Sequence, residues 1–223
     1  MKKSSPEFVA LDMLTQARRV ADFAESVGFC CNVAPRRARP IQHLGAVLAD
    51  AVLQAGVNYR TVVKPRIDRI LKYFPESSTL AGTIKIVESN SVGEFLMWKH
   101  SEKVDRFIRL HCLLEAHRVE DAAMLRAWLK RSSCRDELLS IHGVGPKTVD
   151  YMSCLVGIDS VAVDRHIRGF AKQAGVEVRD YEQLRSIFCC AADLLDTPRR
   201  DFDAWVWTTR ANGIRSSAQY ELF

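Results

Sequence analysis

A chain of 223 residues, 48% of them hydrophobic, can bury one sizeable core or two smaller ones. Its 32 basic against 27 acidic residues leave a net charge of +5, which permits a nucleic-acid partner without demanding one. The longest apolar region, Gly45 to Val57, is broken by Asp50 and Gln54 and falls short of the roughly 18–20 residues of a membrane span. Glu7 and Asp12 interrupt the apolar stretch a secretory signal needs, so an intracellular protein with no membrane partner is expected.

Apolar residues recur at helical spacing along most of the chain. Met13, Ala17, Val20, Ala24 and Val27 predict a helix stopped by Gly28. Cys31 to Pro40, with two prolines and three arginines, reads as a solvated basic linker that could also touch phosphate. Val47, Leu48, Ala51, Val52 and Ala55 mark a helix before Gly56; Ile67, Ile70, Leu71 and Phe74 mark one before Pro75, with Pro65 as its first residue or as a kink. Ile84 to Val87 and Val161 to Val163 are strand-like, but too short and too few for a substantial sheet. Val104, Phe107, Ile108 and Cys112 mark a further helix. Leu184, Ile187, Phe188 and Ala191 mark another, capped by Asp180 and stopped near Pro198, and Phe202, Trp205, Val206 and Thr209 the last. The chain reads as all-α, without internal repeats.

The segment ELLSIHGVGPKTVDYM, residues 137 to 152, carries the most specific pattern. Ser133 and Asp136 fit a capping box opening a short helix through Leu138, Leu139 and Ile141. Gly143 and Gly145 can take positive φ in a tight turn, and Pro146 suits the first position of a new helix, where its missing N–H costs nothing. Such a hairpin leaves amides of Gly143, Gly145 and the new helix pointing outward, a site for a DNA phosphate that reads no sequence. Lys147 follows at once, at a helix end where the macrodipole disfavours a cation by about 0.3–1 kcal/mol.

Together with the later VAVDRHIRGFAKQAG, this segment resembles the signature of the helix-hairpin-helix (HhH-GPD) DNA glycosylase superfamily, which includes endonuclease III, the adenine glycosylase and 8-oxoguanine glycosylase. The strong match spans residues 137 to 175, and a weaker similarity in helix order runs from Gln42 to Ala211. The resemblance implies an all-α protein of two helical subdomains flanking a DNA-binding groove. One would span 42–157 and end in the helix-hairpin-helix; the other would be assembled from 1–41 and 158–223. It implies a monomeric base-excision-repair enzyme that flips out and removes a damaged base from double-stranded DNA, or acts on an abasic site. Lys147 matches the lysine of members that are also AP lyases, and Asp164 matches the aspartate that follows the hairpin. Backbone contacts to DNA are implied for Gly143, Val144, Gly145, Thr148 and His166. A monovalent cation, Na+ or K+, is implied at the main-chain carbonyls of Leu139, Ile141 and Val144.

The chemistry also follows from the residues. A half-desolvated lysine at a helix N-terminus is expected to have a lowered pKa, leaving some neutral amine to attack a sugar carbon, form a Schiff base and permit β-elimination. Asp164 is expected to cap a helix from Arg165 to Ala174, and hydrogen bonds from helix amides would keep its carboxylate ionised to stabilise positive charge on the deoxyribose. Two alternatives stand beside this reading: a monofunctional glycosylase that uses water, and a non-catalytic helix-hairpin-helix DNA-binding module.

Some features depart from the superfamily pattern. Endonuclease III and many relatives end in four cysteines that bind an iron-sulfur cluster, whereas this chain has none after Cys190; no cluster is expected, and Trp205 and Trp207 are expected in a core. The seven cysteines, among them the pairs Cys30–Cys31 and Cys189–Cys190, lack metal-ligand spacing and read as reduced thiols. In LQAGVNYRT, where relatives supply a residue that fills the vacated base stack, Gly56 stands where many have glutamine, leaving Asn58 and Tyr59 as wedge candidates. Asp150 and Tyr151 lie within one turn of Lys147, as pocket neighbours or as packing residues. No pattern specifies the damaged base.

Overall fold

The computed structural model describes residues 6–30, 39–89 and 91–211, with the side chains of 6–10 and 211 left aside. Among the described residues the secondary structure is helical throughout, with no strand. The basic linker reading of Cys31 to Pro40 falls mostly on residues outside this set. The chain divides into two compact units, one of residues 39–158 and one of the two chain ends, 1–38 with 159–223. No described helix is long and apolar enough to cross a membrane.

In the unit of residues 39–158, the helix Leu44–Leu53 (α2, after α1 at Pro6–Ser26) is buried along its whole length. Burying each of its leucines contributes about 1.5–3 kcal/mol. His43 caps it: Nδ1 accepts from the Ala46 amide at 3.1 Å while Nε2 lies 2.9 Å from the Phe74 carbonyl, which fixes Nε2 as the protonated nitrogen. A turn of π-helix, Tyr59–Val63, leads into α3 (Lys64–Tyr73), so Pro65 becomes its second residue and marks the junction between the two helical geometries. Around α2 follow a 3₁₀ turn (Pro75–Ser78), α4 (Leu80–Glu88), α5 (Val92–Phe95), α6 (Ser101–Ala116), α7 (Ala122–Trp128), α8 (Cys134–Leu139) and α9 (Pro146–Leu155). Gly45 lets α2 approach that 3₁₀ turn, because a Cβ there would come within 2.8 Å of the Ser77 carbonyl. The strand-like Ile84 to Val87 lies inside α4: Thr79 caps its first turn by accepting from Gly82, and burial of Leu80, Thr83 and Ile86 at helical spacing outweighs β-propensity.

The unit of the chain ends packs α1 against α11 (Tyr181–Leu194), with α10 (Arg165–Gln173) and α12 (Arg199–Ala211) beside them. Ala17, Val20 and Ala24 are fully buried, so the small side chains of α1 admit Ile187 and Phe188. Phe29, Phe170, Phe188, Phe202 and Trp205 form an aromatic cluster of edge-to-face and stacked pairs with centroids 5.0–6.4 Å apart. Trp205 thus belongs to the core. Val161 to Val163 form no strand and lie between helices, and Val163 N–H donates to the Tyr181 hydroxyl at 3.3 Å. Asp180 caps α11 through the Gln183 amide at 2.7 Å. Cys134, Cys154 and Cys189 are buried thiols, while Cys30 and Cys112 are exposed; Cys31 lies outside the described residues.

Candidate active site

Two helices, α8 and α9, meet at the hairpin. The first ends at Leu139 rather than continuing to Ile141, and the capping box at its start does not form: Ser133 is already in helical backbone geometry, φ −73° and ψ −27°, so its hydroxyl makes no capping bond. At the turn, Gly143 adopts φ +81° and supplies the reversal. Gly145 departs from the expectation of positive φ. It is the N-cap of α9, at φ −103° and ψ 175°, because a cap residue takes extended backbone before the helix starts. Among the described residues the amides of Gly143 and Gly145 donate no hydrogen bond, whereas Val144 N–H closes onto the Ile141 carbonyl at 2.9 Å and Thr148 N–H onto the Gly145 carbonyl at 2.9 Å. Val144 and Thr148 bury their side chains.

Arg106 of α6 lies over this turn. Its Nε donates to the His142 carbonyl at 3.3 Å, and its guanidinium fills the space a Cβ on Gly143 would need. A cation thus stands beside amides that can bind an anion. One turn earlier on α6, Lys103 donates from Nζ to the carbonyls of Leu53 and Ala55 at 2.7 and 2.8 Å, closing the C-terminus of α2, and lies 4.4 Å from the Trp98 ring centre. Burial, and then the charge of Arg106, push the Lys103 amine down to about 8.

Lys147 is the second residue of α9 and is half-buried. Its Nζ donates to Gln54 Oε1 at 2.6 Å, and Gln54, at the end of α2, is 9% exposed with Nε2 unpaired. One turn along both helices, the Tyr151 hydroxyl donates to Asp50 Oδ1 at 3.0 Å, and the Tyr59 hydroxyl donates to Oδ2 of the same carboxylate at 3.0 Å. Asp50 is fully buried, so these hydroxyls replace water around it. Two polar rungs, 54–147 and 50–151, therefore join antiparallel α2 and α9 one turn apart. Asp150, 3% exposed, lies 3.5 Å from the guanidinium of Arg135.

Tyr59, a wedge candidate by sequence, packs partly against the core of this unit and donates its hydroxyl to Asp50. Asn58 is exposed and caps the π-turn by accepting from Thr61 N–H at 3.1 Å. Asp50 and Gln54 entered the sequence reading only as interruptions of an apolar run. Their signal was present there: two polar residues four apart in an otherwise apolar helix share one face.

The remaining site residues belong to the unit of the chain ends. Asp164 caps α10, accepting at one carboxylate oxygen from the amides of His166 at 2.7 Å and Ile167 at 3.0 Å. The His166 ring lies 5.8 Å from that of Trp207, near edge-to-face. Around the hairpin, the Leu139 and Val144 carbonyls accept no hydrogen bond among the described residues, while that of Ile141 takes the Val144 amide. Oxygen donors of this kind suit a hard monovalent cation.

No protein-family model matches the chain, and no curated protein matches it by sequence. Among solved structures, the fold is similar to the crystal structure of the H. pylori 3-methyladenine DNA glycosylase MagIII bound to 1,N6-ethenoadenine, at TM-score 0.55 and 14% identity, covering 90% of this chain and 96% of that one. At that identity the likeness establishes the all-helical fold.

Proposed function

We propose that the protein is a DNA glycosylase of base-excision repair that removes a damaged base from duplex DNA and, through Lys147, also acts as an AP lyase. The observation that carries the reading is a half-buried lysine, directly after a hairpin with unpaired amides, whose Nζ is held 2.6 Å from the neutral side-chain oxygen of Gln54. The amide oxygen of Gln54 is a neutral acceptor that positions the amine through a hydrogen bond. The fold shared with a glycosylase supports the same reading.

In this proposal the hairpin amides and Arg106 hold a backbone phosphate, and the deprotonated Lys147 amine attacks C1′ of the damaged nucleotide. The base leaves with the electron pair of the glycosidic bond and takes up a proton. The nitrogen lone pair then forms a C1′=N bond as C1′–O4′ breaks and O4′ takes up a proton, opening the sugar to a protonated Schiff base. Loss of a C2′ proton then expels the 3′ phosphate by β-elimination, and water releases Lys147. The Asp164 carboxylate is assigned the stabilisation of positive charge on the sugar as the base departs. Carbonyls of Leu139, Ile141 and Val144 would hold a monovalent cation, which when bound would supply positive charge beside the phosphate.

The test is base release from single-lesion duplexes, with 3-methyladenine and 1,N6-ethenoadenine included because the structural neighbour is a 3-methyladenine DNA glycosylase bound to 1,N6-ethenoadenine. Release of a free base from at least one duplex is the expected result. Salt-dependent binding to duplexes without release from any would favour a non-catalytic DNA-binding module.

A further inference from the structure

Far along α6 from Arg106 and Lys103, three potential ligands stand together. His111, Cys112 and Glu115 place a ring nitrogen, a thiol sulfur and a carboxylate oxygen all within 4.8 Å of one another. The spacing makes this a compact triangle: His111 and Glu115 are one turn apart, and Cys112 and Glu115 are also neighbours on the helix surface.

His111 is the unusual member. It is 2% exposed, and among the described residues neither ring nitrogen has a hydrogen-bond partner. The Leu80 carbonyl approaches closely enough to favour the protonated ring, but without hydrogen-bond geometry. A buried imidazole left unpaired is destabilising. Burial pushes its pKa down, against the opposing pull of the Leu80 carbonyl and Glu115. Cys112 and Glu115 are exposed, and their side chains form no hydrogen bond or ion pair among the described residues. Both are free to turn.

We propose that His111, Cys112 and Glu115 form a binding site for a divalent transition-metal ion of the zinc class. A nitrogen, sulfur and oxygen set suits a borderline-soft ion and not magnesium or calcium. Donor atoms around a tetrahedral zinc lie roughly 3.4–3.7 Å apart by the bond lengths involved. Closing from 4.8 Å to that spacing takes rotation of the two exposed side chains. Water completes the fourth position. The site is separate from the Lys147 chemistry and does not depend on the proposed function.

The experiment is Co2+ titration of the full-length protein under a non-thiol reductant, followed by near-UV absorption, then displacement by Zn2+. A thiolate-to-cobalt band saturating at one equivalent and removed by Zn2+ is expected. Cys112→Ser should abolish the band, and Glu115→Gln should weaken affinity by more than about tenfold, the loss that even an outer-shell partner can cause. Both substitutions are at exposed positions and spare the fold, which circular dichroism checks. The absence of any band, or a band of unchanged intensity and affinity in Cys112→Ser, as the exposed Cys30 could produce, overturns the proposal.

Discussion

The Lys147 amine is held 2.6 Å from the side-chain oxygen of Gln54, a residue 93 positions earlier in the chain. The end of α2 therefore sets where the amine stands, and Lys103 fixes that end through the carbonyls on either side of Gln54.

Replacing Gln54 with leucine should slow Lys147-dependent strand cleavage by roughly tenfold to a hundredfold, because a misplacement of about 1 Å is enough for such a loss. Stability should change little, since the substitution also removes a buried, unpaired Nε2. Single-turnover cleavage and thermal melting together check this; an unchanged cleavage rate would separate Gln54 from the lysine's function.

The two hairpin glycines should respond differently. Gly143→Ala forces a side chain into φ +81° and against the Arg106 guanidinium, for about 1–2 kcal/mol of destabilisation and weaker DNA binding. Gly145→Ala meets nothing within 4 Å at an extended φ and should stay within about 0.5 kcal/mol of the parent. Equal losses in urea melts of the two variants would contradict the hairpin geometry.

Asp164 caps α10 and is proposed also to stabilise charge on the sugar, and two substitutions divide these roles. Alanine removes the cap and should cost about 1 kcal/mol. Asparagine can still accept from the His166 and Ile167 amides but carries no charge, so its fold should persist while base release slows. A normal release rate in a well-folded Asp164→Asn variant would remove the carboxylate from the mechanism.

Lys103 predicts a pH dependence of stability. Its folded-state pKa is lowered from 10.5 to about 8, by burial first and Arg106 second. Between those values the unfolded chain binds a proton that the folded chain has released, so folding stability gains as pH rises through this window. Below pH 8 the protonated amine opposes folding. Denaturant melts at pH 7.5 and 10 should show this gain in the parent relative to Lys103→Met; identical pH trends would refute it.

Much of this was legible in the sequence because it depends on local chemistry. Gly28, Asp164 and Asp180 mark helix ends through backbone freedom and capping oxygens, which act over a few residues. The hairpin was legible for the same reason, although Gly145 turned out to cap a helix in extended geometry. What escaped depends on tertiary packing. Ile84 to Val87 reads as strand until the Thr79 cap and the buried face of α4 are known. Ser133 has a capping residue's chemistry in a backbone that cannot use it. Asp50, Gln54 and Arg106 gain their meaning from partners 36 to 101 residues away, which no local pattern specifies.

The most direct measurement is borohydride trapping on duplexes bearing single damaged bases, with Lys147→Gln in parallel. The account predicts a covalent protein–DNA adduct on a denaturing gel with the parent and none with Lys147→Gln, while the variant still binds duplex through the hairpin amides. An undiminished adduct with Lys147→Gln, or base release with no adduct from the parent, would contradict Lys147 as the nucleophile.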